Sequence, residues 1–259
     1  MNEKKGNFSY YFYVDYFLGI NYKAIENDRQ NVKLLNRKTQ ELIDFVFNSK
    51  PQKIGNVNFE MKTKAPGLIA GIGYPHSIDK IKGGLKFGFS LDYTTGIPYI
   101  PGSSIKGVVR DVLGIDDDER IQRLRQEIKK HPEKKEENEL MIENINRMKP
   151  QKEAFLKKIT GEKFEDIKKE LFSEDVFLDA FLVAENEKIF DDDFITPHRE
   201  LFKNPVPIRF LKIKKDVRFL FNFDFNKNAR LKEKLIKEIL KNIGVGAKTN
   251  MGYGRFEEV

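Results

Sequence analysis

Three stretches of the chain carry apolar residues at helical spacing. Apolar side chains that recur three and four positions apart lie on one side of an α-helix. Residues 29–48, 103–113 and 229–243 follow this pattern, so each is predicted to form an amphipathic helix. The apolar sides consist of Leu34, Leu35, Leu42, Phe45 and Val46 in the first helix, Ile105, Val108, Val109, Val112 and Leu113 in the second, and Leu235, Ile236, Ile239, Leu240 and Ile243 in the third.

Glycine, β-branched and aromatic residues dominate other stretches. Residues 67–100, 175–185 and 207–225 have the composition of strands, and the last is divided into two strands around 214–216. A short final strand is predicted within 251–256. Residues 8–17 contain seven aromatic side chains. They favour an aromatic-rich first core element over base stacking, and docking to a neighbouring protein is a third interpretation.

Residues 116–172 are polar and highly charged. They are predicted to form a solvated helical insertion of two or three helices, with breaks at His131-Pro132 and near Pro150. The core elements in chain order give an α+β pattern with helices on one face of an antiparallel sheet. We therefore expect a ferredoxin-like (RRM-like) unit in a single elaborated domain over 1–259, with an N-terminal helical region at 1–60.

Charge indicates an anionic partner. The 259-residue chain has a formal net charge of +7, yet residues 116–150 contain nine Lys/Arg and ten Asp/Glu, so the basic excess lies elsewhere. There is no cysteine, and none of the three histidines is at helical spacing from another, so a disulfide and a zinc site are not expected. The sequence contains no membrane-spanning run and no signal-peptide core, and a cytoplasmic protein without a membrane partner is expected.

The loop over 242–256, NIGVGAKTNMGYGRF, is the first candidate anion site. It follows a helix and leads into a strand, and its spacing matches neither a P-loop nor a dinucleotide fingerprint. Gly244 is predicted to cap the preceding helix. Closely spaced glycines allow N–H groups to converge on an anion. The alternative is a tight connection whose glycines only allow positive φ; one or two would suffice for that, so four favour anion binding.

The helix over 103–113 is the second candidate. Ser103 or Ser104 is predicted to be its N-cap, and its start offers free N–H groups to an anion. Lys106 and Arg110 lie four residues apart and therefore on one face, with Gly107 on the same side. An ordinary capped amphipathic helix fits the pattern equally well. We expect both candidate stretches to hold one phosphodiester strand together.

His198 follows a proline and lies beside Arg199. It could act as a general base, a phosphate donor or a structural link, and a lone histidine near a proline turn is most often structural. His76 has the same interpretation.

Three stretches together resemble one family. They are GIPYIPGSSIKGVVRDVL (96–113), FITPH (194–198) and IGVGAKTNMGYGRF (243–256). They are similar to the RAMP superfamily of CRISPR systems, and within it to the capping RAMP subunits of type III-B (Cmr) RNA-targeting complexes. The Thr-Pro-His element, preceded by VFLDAF, points to the capping subunits, whereas the other two motifs are superfamily-wide. The resemblance covers about 65–113 and 175–259.

The resemblance implies a ferredoxin-like RAMP fold and a non-catalytic structural subunit that caps the filament of repeated backbone subunits, where the 3′ part of the guide RNA lies. The implied partners are guide RNA (crRNA), target RNA and other Cmr subunits, especially the repeated backbone subunit. No cofactor or metal is implied, and cleavage of target RNA is expected in neighbouring subunits. The implied RNA-contacting residues are Ser103, Ser104, Lys106, Arg110, His198, Gly246, Lys248, Thr249, Asn250 and Arg255.

Two other functions remain open from the sequence. Related RAMP proteins cut guide precursors, so a metal-independent endoribonuclease is the first alternative, with His76 and His198 as its acid–base pair. A single-strand RNA-binding domain outside CRISPR systems is the second.

Overall fold

The computed structural model describes residues 6–24, 29–71, 84–86, 88–196 and 207–259. The helices in these ranges are α1 (Phe8–Tyr13), α2 (Arg29–Ile43), α3 (Gly102–Val112), α4 (Asp117–Lys130), α5 (Lys135–Thr160), α6 (Phe164–Ser173) and α7 (Ala229–Asn242). The strands are β1 (Val46–Ser49), β2 (Val57–Thr63), β3 (Tyr99–Ile100), β4 (Val176–Phe177), β5 (Ala180–Lys188), β6 (Phe190–Ile195), β7 (Ile208–Ile213), β8 (Arg218–Asp224) and β9 (Phe256–Glu258).

The main sheet has ferredoxin-like topology. Its strand order is β1-β5-β8-β2-β9, and every pairing is antiparallel. In chain order, β2–α3–β5 and β8–α7–β9 are two βαβ units, and each leaves room in the sheet for one strand of the other. This is the split βαβ arrangement. The predicted α+β, ferredoxin-like fold is therefore confirmed.

Strand β8 is buried on both faces. Phe221 and Phe223 stack against Phe59 of β2, and the Lys237 ammonium of α7 lies 4.8 Å from the centre of the Phe59 ring. On the opposite face Asn222 is fully buried, and its Oδ1 accepts a hydrogen bond from the Ile54 N–H at 3.2 Å. Helix α7 therefore covers one face of β8, and the chain before β2 covers part of the other.

The aromatic N-terminal segment is a core element, as predicted. The ring of Phe8 lies 4.7 Å from that of Phe190 and 5.2 Å from those of Phe45 and Phe47, centroid to centroid. These contacts join α1, β1 and β6. The opposite side of the same segment also presents apolar side chains, and these are about half exposed: Tyr10, Val14, Leu18 and Tyr22.

Two predicted elements have different bounds. Helix α2 ends at Ile43 instead of residue 48, because the β-forming pair Val46-Phe47 joins β1, which pairs with β5. The region over 1–60 thus contains β1 and the start of β2. The final strand begins only at Phe256, because Gly252 and Gly254 have φ of +92° and +73° and interrupt it.

Predicted strands also differ in number and pairing. Within the described part of 67–100, β3 is the single strand, and Gly67 and Gly71 have φ of +119° and +117°, which strands do not accommodate. Residues 72–83 and 87 lie outside the described residues. The stretch 175–185 divides into β4 and β5. The two strands of 207–225 are present, but β7 pairs with β6 in a separate hairpin, whereas β8 enters the main sheet.

Helices α4, α5 and α6 occupy the charged stretch. The predicted break at His131-Pro132 is confirmed, since α4 ends at Lys130. The predicted break near Pro150 is wrong, because α5 continues through it. Proline removes one helical hydrogen bond, and Pro150 is exposed, so water can bond the carbonyl group that is left unpaired.

A buried charge cluster joins α6, the segment before β4 and α7. The Lys232 ammonium lies 3.0 Å from a Glu170 carboxylate oxygen and forms an ion pair with Asp175, whose side chain is fully buried. We predict that Lys232→Ala lowers the free energy of unfolding by about 3–5 kcal/mol, because it leaves a buried carboxylate without its counter-charge. Urea unfolding measures this difference.

The matched control is Lys234→Ala, an exposed lysine of the same helix. It should change the free energy of unfolding by no more than about 0.5 kcal/mol. Equal effects of the two substitutions would contradict the role given to the cluster.

Candidate nucleic-acid interface

The C-terminal loop begins where α7 ends. Gly244 has a φ of +86°, and its N–H donates to the carbonyl oxygen of Ile239 at 3.0 Å. This is the geometry of a glycine helix cap. The predicted capping role of Gly244 is therefore confirmed.

Three of the four loop glycines, Gly244, Gly246 and Gly254, lie in close contact with backbone atoms of the protein itself. All four have positive φ. A Cβ atom on Gly246 would lie 2.4 Å from the carbonyl oxygen of Ile69, and one on Gly254 would lie 1.9 Å from that of Val245. The expectation that one or two glycines would suffice for the connection is thus wrong, because the fold itself requires glycine at these positions.

The outer side of the same loop still has the geometry of an anion site. Lys248 has left-handed backbone angles and is followed by one 3₁₀ turn, Thr249–Met251. Within the described residues, no hydrogen bond uses the N–H groups of Gly246, Thr249 or Asn250. A left-handed residue followed by a helical turn directs successive N–H groups toward one point, which forms an anion-binding nest. We refer to residues 246–250 as the nest.

Arg255 lies just after the nest, where the chain enters β9. Its Nε atom is buried and has no hydrogen-bond partner among the described residues. Its carbonyl oxygen accepts a hydrogen bond from the Lys64 N–H at 2.8 Å, which fixes its backbone against the end of β2. Arg255 thus contributes an unsatisfied donor to this region.

Tyr253 attaches the loop to the β6–β7 hairpin. Its hydroxyl donates to Asp193 Oδ2 at 2.7 Å, and its ring packs with Phe210, Ile69 and Ile195. Burial and the neighbouring Asp193 both raise the pKa of Tyr253. Burial opposes ionisation of Asp193, but hydrogen bonds from Lys212 and Tyr253 outweigh it and lower the pKa of Asp193.

Strand β6 leads directly into the Thr-Pro-His element. Ile195, in the small cluster with Tyr253, immediately precedes Thr196. The structure therefore brings the start of this element next to the glycine loop, two motifs that are more than 40 residues apart in the sequence. His198 and His76 lie outside the described residues.

The start of α3 differs from the prediction. Neither Ser103 nor Ser104 is the N-cap, because the helix begins at Gly102. The Gly102 N–H donates to Asp179 Oδ1 at 2.7 Å, and a Cβ on Gly102 would lie 2.3 Å from the carbonyl oxygen of Phe177. A carboxylate of the chain itself therefore occupies part of the predicted phosphate position.

The basic face of α3 packs on aromatic rings. Lys106 and Arg110 share one face, as predicted, and both lie within 5.7 Å of the Phe172 ring centre. Arg110 also pairs with Asp116, to which its Nε donates at 2.9 Å. The charge of Arg110 is therefore already compensated within the chain.

Gly107 is open to solvent, and a Cβ added there would meet no atom within 4 Å. It borders a cleft of about 340 Å³ whose lining mixes carboxylates and guanidinium groups. The lining residues are Gly107, Asp111, Asp116, Asp117, Arg120 and Arg123. The acidic lining makes this side of α3 less suited to phosphate than the nest.

The two candidate stretches attach to opposite ends of β8. The start of α3 is held by Asp179, whose neighbour Leu178 donates to the Asn222 carbonyl oxygen. The loop runs into β9, which pairs with Thr63, and the Thr63 N–H donates to the Val217 carbonyl oxygen. Five residues of strand correspond to about 17 Å. The two stretches are therefore separate surfaces along β8, and their joint contact with one phosphodiester strand stays a prediction.

Metal clusters and membrane helices are both absent from the described part of the chain. No group of three or more His, Asp or Glu side chains suited to a metal ion occurs among those residues. No helix in the same ranges is long and apolar enough to cross a bilayer.

A model of the RAMP superfamily matches residues 53–257. The chain belongs to the RAMP superfamily. The match begins just before β2 and includes both βαβ units of this RAMP, whereas α1, α2 and β1 precede it.

Two curated RAMP relatives are similar in sequence. The CRISPR system Cmr subunit Cmr6 of Pyrococcus furiosus is 32% identical over 203 residues, which cover 63% of this chain and 58% of that protein. The CRISPR system CMR subunit Cmr6 of Saccharolobus solfataricus is 28% identical over 241 residues, with 88% and 67% covered. The chain thus spans about three fifths to two thirds of the length of these relatives.

A solved structure supports the fold of this RAMP. One chain in the cryo-EM structure of the Type III-B Cmr-beta bound to cognate target RNA aligns with a TM-score of 0.53 and 21% identity. The alignment covers 92% of this chain and 76% of that chain.

Substitution by alanine should have opposite effects on stability at two of the glycines. We predict that Gly254→Ala destabilises the protein by more than about 1 kcal/mol, because φ is positive and Val245 blocks the new methyl group. Gly107→Ala should instead stabilise it by about 0.5–1 kcal/mol, because Gly107 lies in a helix with open space around it. Thermal unfolding of both variants tests the pair, and similar shifts would contradict the packing described for the loop.

The Asp193 carboxylate should make stability depend on acidity. Its pKa is lowered in the folded state, so its contribution is present above the unfolded-state value of about 3.9 and is lost as pH falls through the folded value. We predict that wild type is more stable than Asp193→Asn at pH 7 and that the difference is smaller at about pH 3, because it starts to be lost below the unfolded-state pKa. Urea unfolding at both pH values measures it; a difference independent of pH would exclude the carboxylate charge as its cause.

Proposed function

We propose that this RAMP is a non-catalytic structural subunit of a type III-B CRISPR (Cmr) effector complex in the cytoplasm. In this role it binds the guide RNA backbone near its 3′ end and caps the filament of repeated backbone subunits. Superfamily membership and the similarity to two Cmr6 proteins support the assignment. Guide RNA, target RNA and other Cmr subunits are the proposed partners, and neighbouring subunits perform the cleavage of target RNA.

The nest is the observation that carries this proposal. Its N–H groups at Gly246, Thr249 and Asn250 have no hydrogen-bond partner among the described residues. Backbone N–H groups bind phosphate oxygens whatever the base, and phosphate contacts position a strand without reading its sequence. A subunit that holds guides of many sequences requires this kind of contact.

Side chains around the nest extend the proposed contact. Lys248 and Arg255 supply positive charge, and His198 is the last residue of the Thr-Pro-His element, whose first residue follows Ile195 beside the loop. On the separate α3 surface, Ser103, Ser104 and Lys106 remain proposed contacts through their side chains. Arg110 forms an ion pair with Asp116, and its proposed role is mainly to hold this face of α3 in position.

RNA affinity at several salt concentrations tests the nest. We predict that Lys248→Gln combined with Arg255→Gln weakens binding of a guide-length single-stranded RNA to the purified chain. Each phosphate contact contributes about 0.7 to the slope of log K against log salt for a single strand, so the slope should fall by about 1.4. Fluorescence anisotropy of labelled RNA measures affinity and slope.

The matched control is Lys130→Gln in α4, an exposed lysine of the helical insertion. It should leave both affinity and slope unchanged. If the double variant behaves like the control, the nest does not bind RNA. The capping role is tested separately by co-purification, in which the tagged chain should recover a Cmr backbone subunit together with guide RNA.

A further inference from the structure

One exposed aromatic side chain in the β6–β7 hairpin is not explained by packing. Phe194 is 57% exposed at the end of β6, one residue before Ile195. The Arg209 guanidinium, directly across the hairpin on β7, lies 5.8 Å from the centre of its ring. Phe194 thus presents a large apolar ring to solvent above a fixed cation.

Arg209 is held by two further contacts. Its Nε donates to Asp192 Oδ2 at 2.6 Å, and its Nη1 donates to Asn36 Oδ1 on α2 at 2.7 Å. The arginine side chain is largely buried as a result. A ring supported by such a rigid group loses little freedom when a ligand stacks on it, which favours binding.

The contact with Asn36 continues this surface onto α2. Arg29 and Lys33 are seven and three residues before Asn36 and therefore lie on the same helix face, about 10 Å and 5 Å away along the axis. Both are exposed, and neither forms an ion pair among the described residues. The surface therefore combines a solvent-facing aromatic ring with two positive charges that have no ion-pair partner in the part of the chain that the structure describes.

This combination suits single-stranded nucleic acid better than an apolar protein surface. Single-strand binding sites combine aromatic rings that stack bases with cations that follow the phosphates. An apolar partner would leave the charges of Arg29 and Lys33 desolvated and unpaired, which is unfavourable. Charge complementarity thus selects a polyanion.

The position of Phe194 links this surface to the nest. Phe194 and Ile195 are adjacent in a strand and so point to opposite faces of the hairpin. Ile195 packs with Tyr253 of the glycine loop, whereas Phe194 lies on the Arg209 side. The end of β6 therefore separates the nest from the aromatic surface. An RNA strand that leaves the nest can pass around this end of the hairpin and contact Phe194.

We propose that Phe194 is a stacking platform for one base of a single-stranded RNA, whose neighbouring phosphates are bound by Arg29 and Lys33. This inference rests on the proposed RNA-binding function and adds a second contact region to the nest. Because every base has a stacking face, the contact tolerates any RNA sequence.

Two kinds of variant separate stacking from charge. Phe194→Ala should weaken the binding of a labelled single-stranded RNA by roughly tenfold with an unchanged salt slope, because no charge is removed. Phe194→Tyr should retain affinity within about twofold, since it keeps an aromatic face. Arg29→Gln with Lys33→Gln should lower the salt slope by about 1.4.

The matched control is Tyr93→Ala, which removes a 93% exposed aromatic ring from a different loop and should leave affinity unchanged. A 2-aminopurine base in the RNA gives an independent readout, because stacking on Phe194 quenches its fluorescence and Phe194→Ala should abolish that quenching.

The outcomes distinguish this inference from the function on which it rests. If the Lys248 and Arg255 variants weaken binding while Phe194→Ala does not, the stacking platform is refuted and the proposed function stands. If the wild-type chain does not bind RNA, both are refuted. If Phe194→Ala keeps its RNA affinity but no longer binds a protein subunit of the complex, a protein covers this surface. That result would also refute the stacking platform.

Discussion

Burial of β8 on both faces is the constraint that positions the other parts of the molecule. Its phenylalanines require α7 on one face, and its buried Asn222 requires polar partners on the other. The Asn222 amide also donates to the Asp179 carbonyl oxygen, while the Asp179 carboxylate accepts from the first N–H of α3. A single strand therefore determines where α7, α3 and the loop after α7 lie.

The glycine loop shows how one backbone can serve packing and binding together. On its inner side, the Val245 N–H donates to the Gly254 carbonyl oxygen and the Ala247 N–H donates to that of Ile69, so side chains are excluded by close backbone contact. The N–H groups of Gly246, Thr249 and Asn250 have no hydrogen-bond partner among the described residues. The internal contacts hold these donors in place before any ligand arrives, which reduces the entropy lost on binding.

Much of the fold could be predicted because its signals are local. Helical periodicity identified α3 and α7, and the order of elements indicated the split βαβ units. The missed features depend on distant partners: Asp179 contacts Gly102 across 77 residues, and Ile69 contacts Gly246 from 177 positions earlier in the chain. A glycine-rich stretch has the same sequence whether a carbonyl group of the protein or a phosphate approaches it, so the pattern alone does not separate these cases.

The N-terminal segment is apolar on both of its sides. Its inner aromatic rings are in the core, but Tyr10, Val14, Leu18 and Tyr22 remain about half exposed in the isolated chain. Exposed apolar side chains of this kind promote self-association in water. We therefore expect the purified chain to aggregate as its concentration rises. Covering this side of the segment should prevent the aggregation.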